Sequence, residues 1–372
     1  MRSIYDIVIK DKETKESPSL SSYLFTEDEK VDFLSTNVIT LNLLFSGRVQ
    51  GGIPVGRISM ISAPSMLGKS FIAYGLVKNA QRKGMQVCII DTERAFNFQF
   101  AKTIGIDISE ERLVVLQDNG IEEVAGIITT ICKEIPKDER KNIFFVIDSW
   151  GALVTSKTLE NAYEGNDKAD MTIPKKKNNL ANIILNQKAT FFIVNHVYDN
   201  TGGMGDIIQI PGGRKIIFNS DSVVLGRSRA KVTRTITDKT VVGHIITAET
   251  FKSRFSKEKS KLQYKIKYDG GLDIFFGILE DALEAGVLEI PKQGYYSRKC
   301  VPEDVPVKED KIYNAEYWLP VFKNTDFTAW LETKYTFQNT LDISNQTDIL
   351  EQLVSEVSIP VEEKQTKSKK SK

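Results

Sequence analysis

The sequence predicts an α/β fold: a mostly parallel central sheet covered by helices on both faces. Three observations lead there. Short continuous apolar runs alternate with stretches of helical spacing, several of those runs end in an acid, and a Gly-Lys-Ser turn joins the first run to a helix.

The elements follow in order. Residues 1–35 are polar and mixed, with one apolar knot at Tyr23, Leu24 and Phe25; such a segment buries no core of its own and reads as an arm. From about residue 36, strand and helix alternate. Arg57 to Ser62 alternates as a strand, Lys69 to Arg82 has helical spacing and stops at Gly84, and Gln86 to Asp91 is an apolar run ending in an acid. Ile121 to Glu134 is helix-like and precedes the apolar run Ile143 to Ile147, which delivers Asp148. Ala181 to Gln187 is helical, while Thr190 to Val194 and Ser222 to Leu225 are strands. In sheets of this kind ligands bind at the carboxyl ends of the strands.

Lys231 to Tyr268 changes to β alternation with turn chemistry at Thr237, Asp238 and Lys239, which predicts antiparallel strands extending the sheet edge. Ile274 to Glu284 carries Phe275, Ile278, Leu279, Ala282 and Leu283 on one helical face and ends at Gly286, and Trp318 to Tyr335 supplies further aromatic core. The divisions expected are an arm over 1–35, a central domain over 36–272, a small C-terminal α+β domain over 273–345 and a flexible charged tail over 346–372.

Composition excludes several classes. With 41% hydrophobic and 27% charged residues the chain has the balance of a soluble globular protein, and no run approaches the roughly 20 apolar residues that span a bilayer. The opening MRSIYDIVIKDKETKE lacks the apolar core of a signal peptide, so a cytoplasmic setting is expected. Cys88, Cys132 and Cys300 stand far apart and suggest neither a zinc site nor a disulfide framework. Fifty basic against 49 acidic residues leave a net charge of +1, so any anionic partner has to be recognised by local patches.

The chemistry concentrates at three strand ends. Ala63 to Ser70, APSMLGKS, matches the phosphate-binding pattern at Gly68, Lys69 and Ser70, with Ala63 where the first glycine usually stands. Phosphate binding needs free backbone N–H groups, a helix N-terminus, a lysine for the β and γ oxygens and a hydroxyl for Mg²⁺, and all are present. A chance strand-to-helix turn could carry the same letters, but the acids that follow in order argue against it. Asp148, after Phe144 to Ile147, is placed to hold the magnesium ion, and Glu93, after Val87 to Asp91, is the acid best placed to orient the attacking water. A solvated loop acid also fits Glu93 taken alone.

Five separated blocks, APSMLGKS, IIDTERAF, FFVIDSWGAL, FIVNHVY and KYDGGLDIFFGILEDALEAG, occur in the order and spacing of the RecA/UvsX recombinases, and the resemblance runs from about Leu34 to Trp330. NHVY and DGGLD, preceded by KSRFSKEKSK, resemble the phage UvsX type more than bacterial RecA. The resemblance implies a RecA-type P-loop ATPase core with an N-terminal oligomerisation arm. It also implies a DNA-dependent ATPase that binds ATP and Mg²⁺, polymerises as a helical filament on single-stranded DNA, and pairs it with homologous double-stranded DNA in strand exchange. A recombination mediator and a single-stranded DNA-binding protein are the partners it suggests.

Residue by residue, it implies that Ser65, Gly68, Lys69, Ser70, Asp148 and Ser149 hold nucleotide and metal, that Glu93 is the catalytic glutamate, and that Asn97 and Phe100 contact the adenine. His196, after Asn195, stands where the family senses the γ-phosphate; a strand-capping histidine fits the residues equally. Lys252 and Arg254 match paired cations that reach a neighbour's ATP, although a solvent-facing basic strand has the same spacing. DNA is expected at two long connections: Ser156 to Ala169 leading into Lys175, Lys176 and Lys177, and Tyr198 to Arg214 with Gly212, Gly213 and Arg214. A lid over the nucleotide is the other reading of the second. Lys364, Lys367, Lys369, Lys370 and Lys372 replace the acidic tail common in this family and remove the basis for autoinhibition by charge mimicry. The rival functions are a hexameric helicase motor on the same fold and a non-catalytic recombinase paralogue.

Overall fold

The computed structural model describes residues 31–165, 170–197, 210–234 and 237–337. The Tyr23–Phe25 knot, most of the second long connection and the C-terminal tail lie outside these residues.

Two short strands, β1 (Phe33–Leu34) and β2 (Ile53–Pro54), pair with each other beside the helix Ile39–Ser46. The main sheet contains β3 (Ile58–Ser62), β4 (Gln86–Asp91), β5 (Leu113–Leu116), β6 (Ile143–Asp148), β7 (Thr190–Asn195), β8 (Ser222–Thr233), β9 (Val241–Ser253), β10 (Lys261–Lys267) and β11 (Gly271–Leu272). Its order is β11-β10-β9-β8-β3-β7-β6-β4-β5. The six strands from β8 to β5 run parallel, and β9, β10 and β11 add antiparallel neighbours at one edge, as the β-rich alternation predicts.

The central strands are apolar throughout because both faces are covered. In β6 and β7, Phe144, Val146, Phe192 and Val194 enter one core, while Phe145, Ile147, Phe191 and Ile193 enter the other. The first core is capped by the helices Ile39–Ser46 and Lys69–Arg82, the second by Ile121–Lys133 and Ile173–Gln187. Phe145 and Phe191 stand opposite in register and stack at 4.8 Å. For the same reason β3 is buried at every position, including Ser59 and Ser62, rather than alternating as its sequence suggests.

The carbonyls of the buried helix Ile39–Ser46 need partners, and distant residues supply them. Ser222 Oγ donates to the Phe45 carbonyl at 2.9 Å, and Thr250 and Ser256 hydroxyls donate to that of Leu44 at 2.7 Å each. This ties the helix to the antiparallel edge.

Several expectations are corrected. The first long connection is not one loop: Ser156–Tyr163 is helical, and the lysine run opens the helix Ile173–Gln187, with Pro174 in its first turn where its missing N–H does no harm. The helix expected from Ile274 forms only over Leu279–Glu284, because Gly277 at φ +90 leaves helical space and its bare Cα lies against the Gln263 carbonyl. Trp318 to Tyr335 contributes aromatic core as expected, and lies in two helices, Ala315–Phe322 and Thr325–Tyr335, divided where Asn324 caps the second by accepting from Asp326 and Phe327 N–H. The strand β5 and the helix Phe98–Thr103 were not legible as elements. A third sheet, β12 (Leu288–Lys292), β13 (Tyr295–Arg298) and β14 (Val307–Lys308), completes the C-terminal part.

Trp318, Val321, Phe327 and Leu331 share one continuous apolar cluster with Leu41, Leu44 and Phe192. Leu41→Ala is therefore expected to cost about 2–5 kcal/mol of stability. Far-UV circular dichroism and tryptophan fluorescence should report a single shifted unfolding transition; two separated transitions would show that the C-terminal part unfolds on its own.

Candidate nucleotide-binding site

The carboxyl edge of the parallel strands gathers the predicted residues. The loop from Ala63 to Gly68 leaves β3 and enters the helix Lys69–Arg82 through Gly68, whose φ of +77 is left-handed. Met66 also has a positive φ, +65, and is exposed. Ala63 is not among the positive-φ residues, so a glycine is not required there. Its methyl is accommodated across the sheet: a Cβ built on Gly226 of β8 would lie 2.7 Å from it.

Lys69 turns back over this loop and is 6% exposed. Its ammonium donates to the carbonyls of Ala63 and Pro64 at 2.9 Å each and lies 3.4 Å from His196 Nδ1. Burial lowers its pKa, opposed by the nearby charges of Asp148 and Glu93. Ser70 Oγ, one residue on, donates to Asp148 Oδ2 at 2.8 Å, and burial is the main reason the Asp148 pKa is raised. A hydroxyl and a carboxylate are hard oxygen donors suited to Mg²⁺, which usually takes its other ligands from phosphate and water. Among the described residues no cluster of three His, Cys, Asp or Glu side chains could hold a metal.

The β4 end is bonded to the β6 end. Thr92 N–H donates to the Asp148 carbonyl, while its hydroxyl donates to the Ser149 carbonyl and accepts from Ser149 N–H at 2.7 Å. Asp91 accepts from the N–H groups of Ala95 and Phe96 and so shapes the turn that presents Glu93. The Glu93 carboxylate receives Ser149 Oγ at 2.5 Å and lies 2.9 Å from His196 Nε2. An ammonium can only donate, so Nδ1 of His196 accepts from Lys69 and the ring proton sits on Nε2, facing Glu93. Lysine, histidine and glutamate thus form a continuous chain across three strand ends.

Asn97 caps the helix Phe98–Thr103 by accepting from Phe100 N–H at 2.9 Å. Phe100 packs edge-on against Phe71, with centroids 5.5 Å apart. Beside the loop a cavity of about 290 Å³ is lined by Met66, Phe71, His244, Ile266, Lys267 and Tyr268. These residues escaped the sequence reading; Phe71, directly after the Gly-Lys-Ser turn, was the one local signal available.

Lys252 and Arg254 lie elsewhere. Ser253 pairs with Ser222, and Ser222 with Ser59, which puts them at the amino edge, about 10 Å of strand away from the loop at roughly 3.3 Å per residue. Lys252 donates to the carbonyls of Ile217, Phe218 and Ser220, and Arg254 faces Asp221 at 3.4 Å. Neither reaches the nucleotide loop of its own chain.

The three lysines expected to meet DNA diverge, because successive helical residues turn by about 100°. Lys175 is exposed, Lys176 pairs with Glu122, and Lys177 is 4% exposed with its ammonium on the Trp150 and Gly151 carbonyls at 3.0 and 3.1 Å. Lys177 therefore does not offer a surface charge, which corrects the expectation for that residue. Gly212 and Gly213 have φ of +95 and +94, and exposed Arg214 opens the following helix.

A phosphate loop after the first parallel strand, with acids at the ends of β6 and β4 of the same sheet, defines a P-loop nucleotide-binding α/β domain. The chain belongs to the RecA family of recombination and repair proteins: the RecA N-terminal domain matches residues 16–273. It is similar to the "Recombination and repair protein" of Enterobacteria phage T4, 27% identical over 350 residues, covering 90% of this chain and 86% of that protein. Protein RecA of Streptomyces venezuelae is 28% identical over 263 residues, 69% of this chain and 66% of its own length. Protein RecA of Thermus aquaticus is 26% identical over 265 residues, covering 70% and 74%. Among the described residues no helix is long and apolar enough to cross a membrane.

Gly68→Ala is expected to destabilise the chain by about 1–2 kcal/mol for a left-handed non-glycine residue. Displacement of Ile266, 2.1 Å from the added methyl, adds to that penalty. Urea unfolding measures it, and an unchanged midpoint would contradict the loop geometry.

Proposed function

We propose that the chain is a DNA-dependent ATPase that polymerises on single-stranded DNA and carries out homologous pairing and strand exchange. The observation that carries this reading is the Lys69–His196–Glu93 chain beside the Ser70–Asp148 pair, at the edge where the phosphate loop ends. In this reading Lys69 and the loop N–H groups hold the phosphates, Ser70 and Asp148 hold Mg²⁺, and Ser65 and Ser149 complete the pocket. Mg²⁺ supplies charge neutralisation at the transferring phosphoryl group. Glu93 orients water with its free oxygen, and His196 responds to the γ-phosphate through Lys69. Phe100, Phe71 and Tyr268 offer apolar surface to the base.

Single-stranded DNA is held through its backbone by Arg214, Lys175 and the Gly212–Gly213 pair, with little sequence preference and a steep salt dependence. The recombination name of the phage relative supports DNA as the partner. The amino-edge position of Lys252 and Arg254 supports a role toward a neighbour's nucleotide in a head-to-tail polymer, since their own site is out of reach. Loading by a mediator and by a single-stranded DNA-binding protein belongs to the same reading, as does action in the host cytoplasm.

Lys69→Ala should reduce DNA-stimulated ATP hydrolysis by about two orders of magnitude or more, and near-normal turnover would sink the assignment. Electron microscopy with single-stranded DNA and a nonhydrolysable ATP analogue should show helical filaments; closed hexamers would favour a helicase. Alanine at both Lys252 and Arg254 should abolish turnover on DNA, and mixing that variant with Lys69→Ala should restore part of it, because one mixed interface then has a good loop and good trans cations. A double variant that turns over normally on DNA would refute the trans role. Because Lys252 also closes the carbonyl end of the helix Arg214–Asn219, a thermal melt of the double variant accompanies the assay.

A further inference from the structure

Lys177 is a buried cation facing carbonyls. Among the described residues its ammonium meets the carbonyls of Trp150 and Gly151 and no carboxylate, and burial depresses its pKa, to about 8. A buried charge without a counter-charge is expensive, and an apolar side chain of the same length would fill the same space without that penalty. The ammonium does one thing such a side chain cannot: it draws two consecutive carbonyls onto one point.

Those carbonyls belong to the short turn that leaves the acid-bearing strand. Asp148 faces Ser70, Ser149 holds Glu93, and Trp150 follows at once. The Trp150 indole N–H donates to the Gly212 carbonyl at 2.8 Å, and a Cβ on Gly212 would lie 2.4 Å from that ring. Next to Trp150, Gly151 backs onto Asn195, whose amide donates to the Pro211 carbonyl at 2.9 Å. Lys177, Trp150 and Asn195 thus join three elements: the helix carrying the lysine run, the strand end carrying Asp148 and Ser149, and the Pro211–Gly212 backbone.

We propose that Lys177 is a positioning residue for ATP hydrolysis, fixing the Ser149–Gly151 turn so that Glu93 keeps its geometry when Arg214 and Gly213 engage DNA. The inference rests on the ATPase reading above and adds a residue to it. Lys177 touches neither nucleotide nor DNA and acts through Trp150 and Ser149.

The test compares Lys177→Met with the unaltered full-length chain, by ATP hydrolysis with and without single-stranded DNA, binding of a fluorescent ATP analogue, and thermal unfolding. Loss of the buried charge and loss of the donor to two carbonyls act in opposite directions, so the melting temperature is expected to change little. The DNA-stimulated kcat should fall about tenfold, as loss of sub-ångström placement commonly does, while KM and analogue affinity stay within about twofold. Trp150→Phe, which keeps a ring and deletes the donor to Gly212, should give the same split and serves if Lys177→Met fails to fold. An unchanged DNA-stimulated kcat overturns the proposal. So does a parallel loss of kcat, analogue affinity and thermal stability, which is the pattern of a merely structural lysine. If the unaltered chain shows no DNA-stimulated turnover, the parent reading fails first and this inference falls with it.

Discussion

The buried ammonium of Lys69 is the charge around which the carboxyl edge is arranged. A lysine only 6% exposed has lost most of its water, and it is held by two loop carbonyls, a histidine nitrogen and the field of Asp148 and Glu93. Burial lowers its pKa, and the nearby carboxylates oppose that shift. The carbonyls require the loop to curl, the curl requires Gly68 in left-handed space, and the acids require their strands to end level with it. A parallel sheet meets the last condition, since all its strands end on the same side.

That requirement explains the apolar character of β3, β6 and β7. Strands covered on both faces send alternate residues into two cores, and the polar chemistry is confined to their ends. The antiparallel strands at the other edge do different work. They bond the carbonyl end of the helix Ile39–Ser46, and β9 carries Lys252 to the opposite side of the sheet from the phosphate loop. One sheet therefore presents two chemically distinct edges. The cations of β9 and the phosphate loop thus stand at opposite edges of one sheet.

The second long connection returns to the fold through Gly212, whose backbone is packed against Trp150. Gly212 lies against that indole where no side chain fits, and its carbonyl receives the indole N–H. The residue that follows Ser149 is thus also the residue that anchors Gly212.

The amino-acid sequence by itself determined the features whose cause is local. The Gly-Lys-Ser turn, the acid after an apolar run and the 3.6-residue spacing of Lys69–Arg82 are each written in adjacent residues, so the α/β class and the membership of Glu93, Lys69, Ser70 and Asp148 in one site were legible. Tertiary structure decided what depends on partners distant in the chain. Three consecutive lysines look alike in a sequence, yet helical rotation exposes Lys175, pairs Lys176 with Glu122 and buries Lys177 on carbonyls 26 and 27 residues away. The helix expected from Ile274 starts only at Leu279 because Gly277 approaches the backbone of β10, a contact no periodicity reveals. Ala63 is accommodated by Gly226, and Tyr268 comes to line a cavity beside Phe71, because packing places residues against one another that the chain keeps far apart.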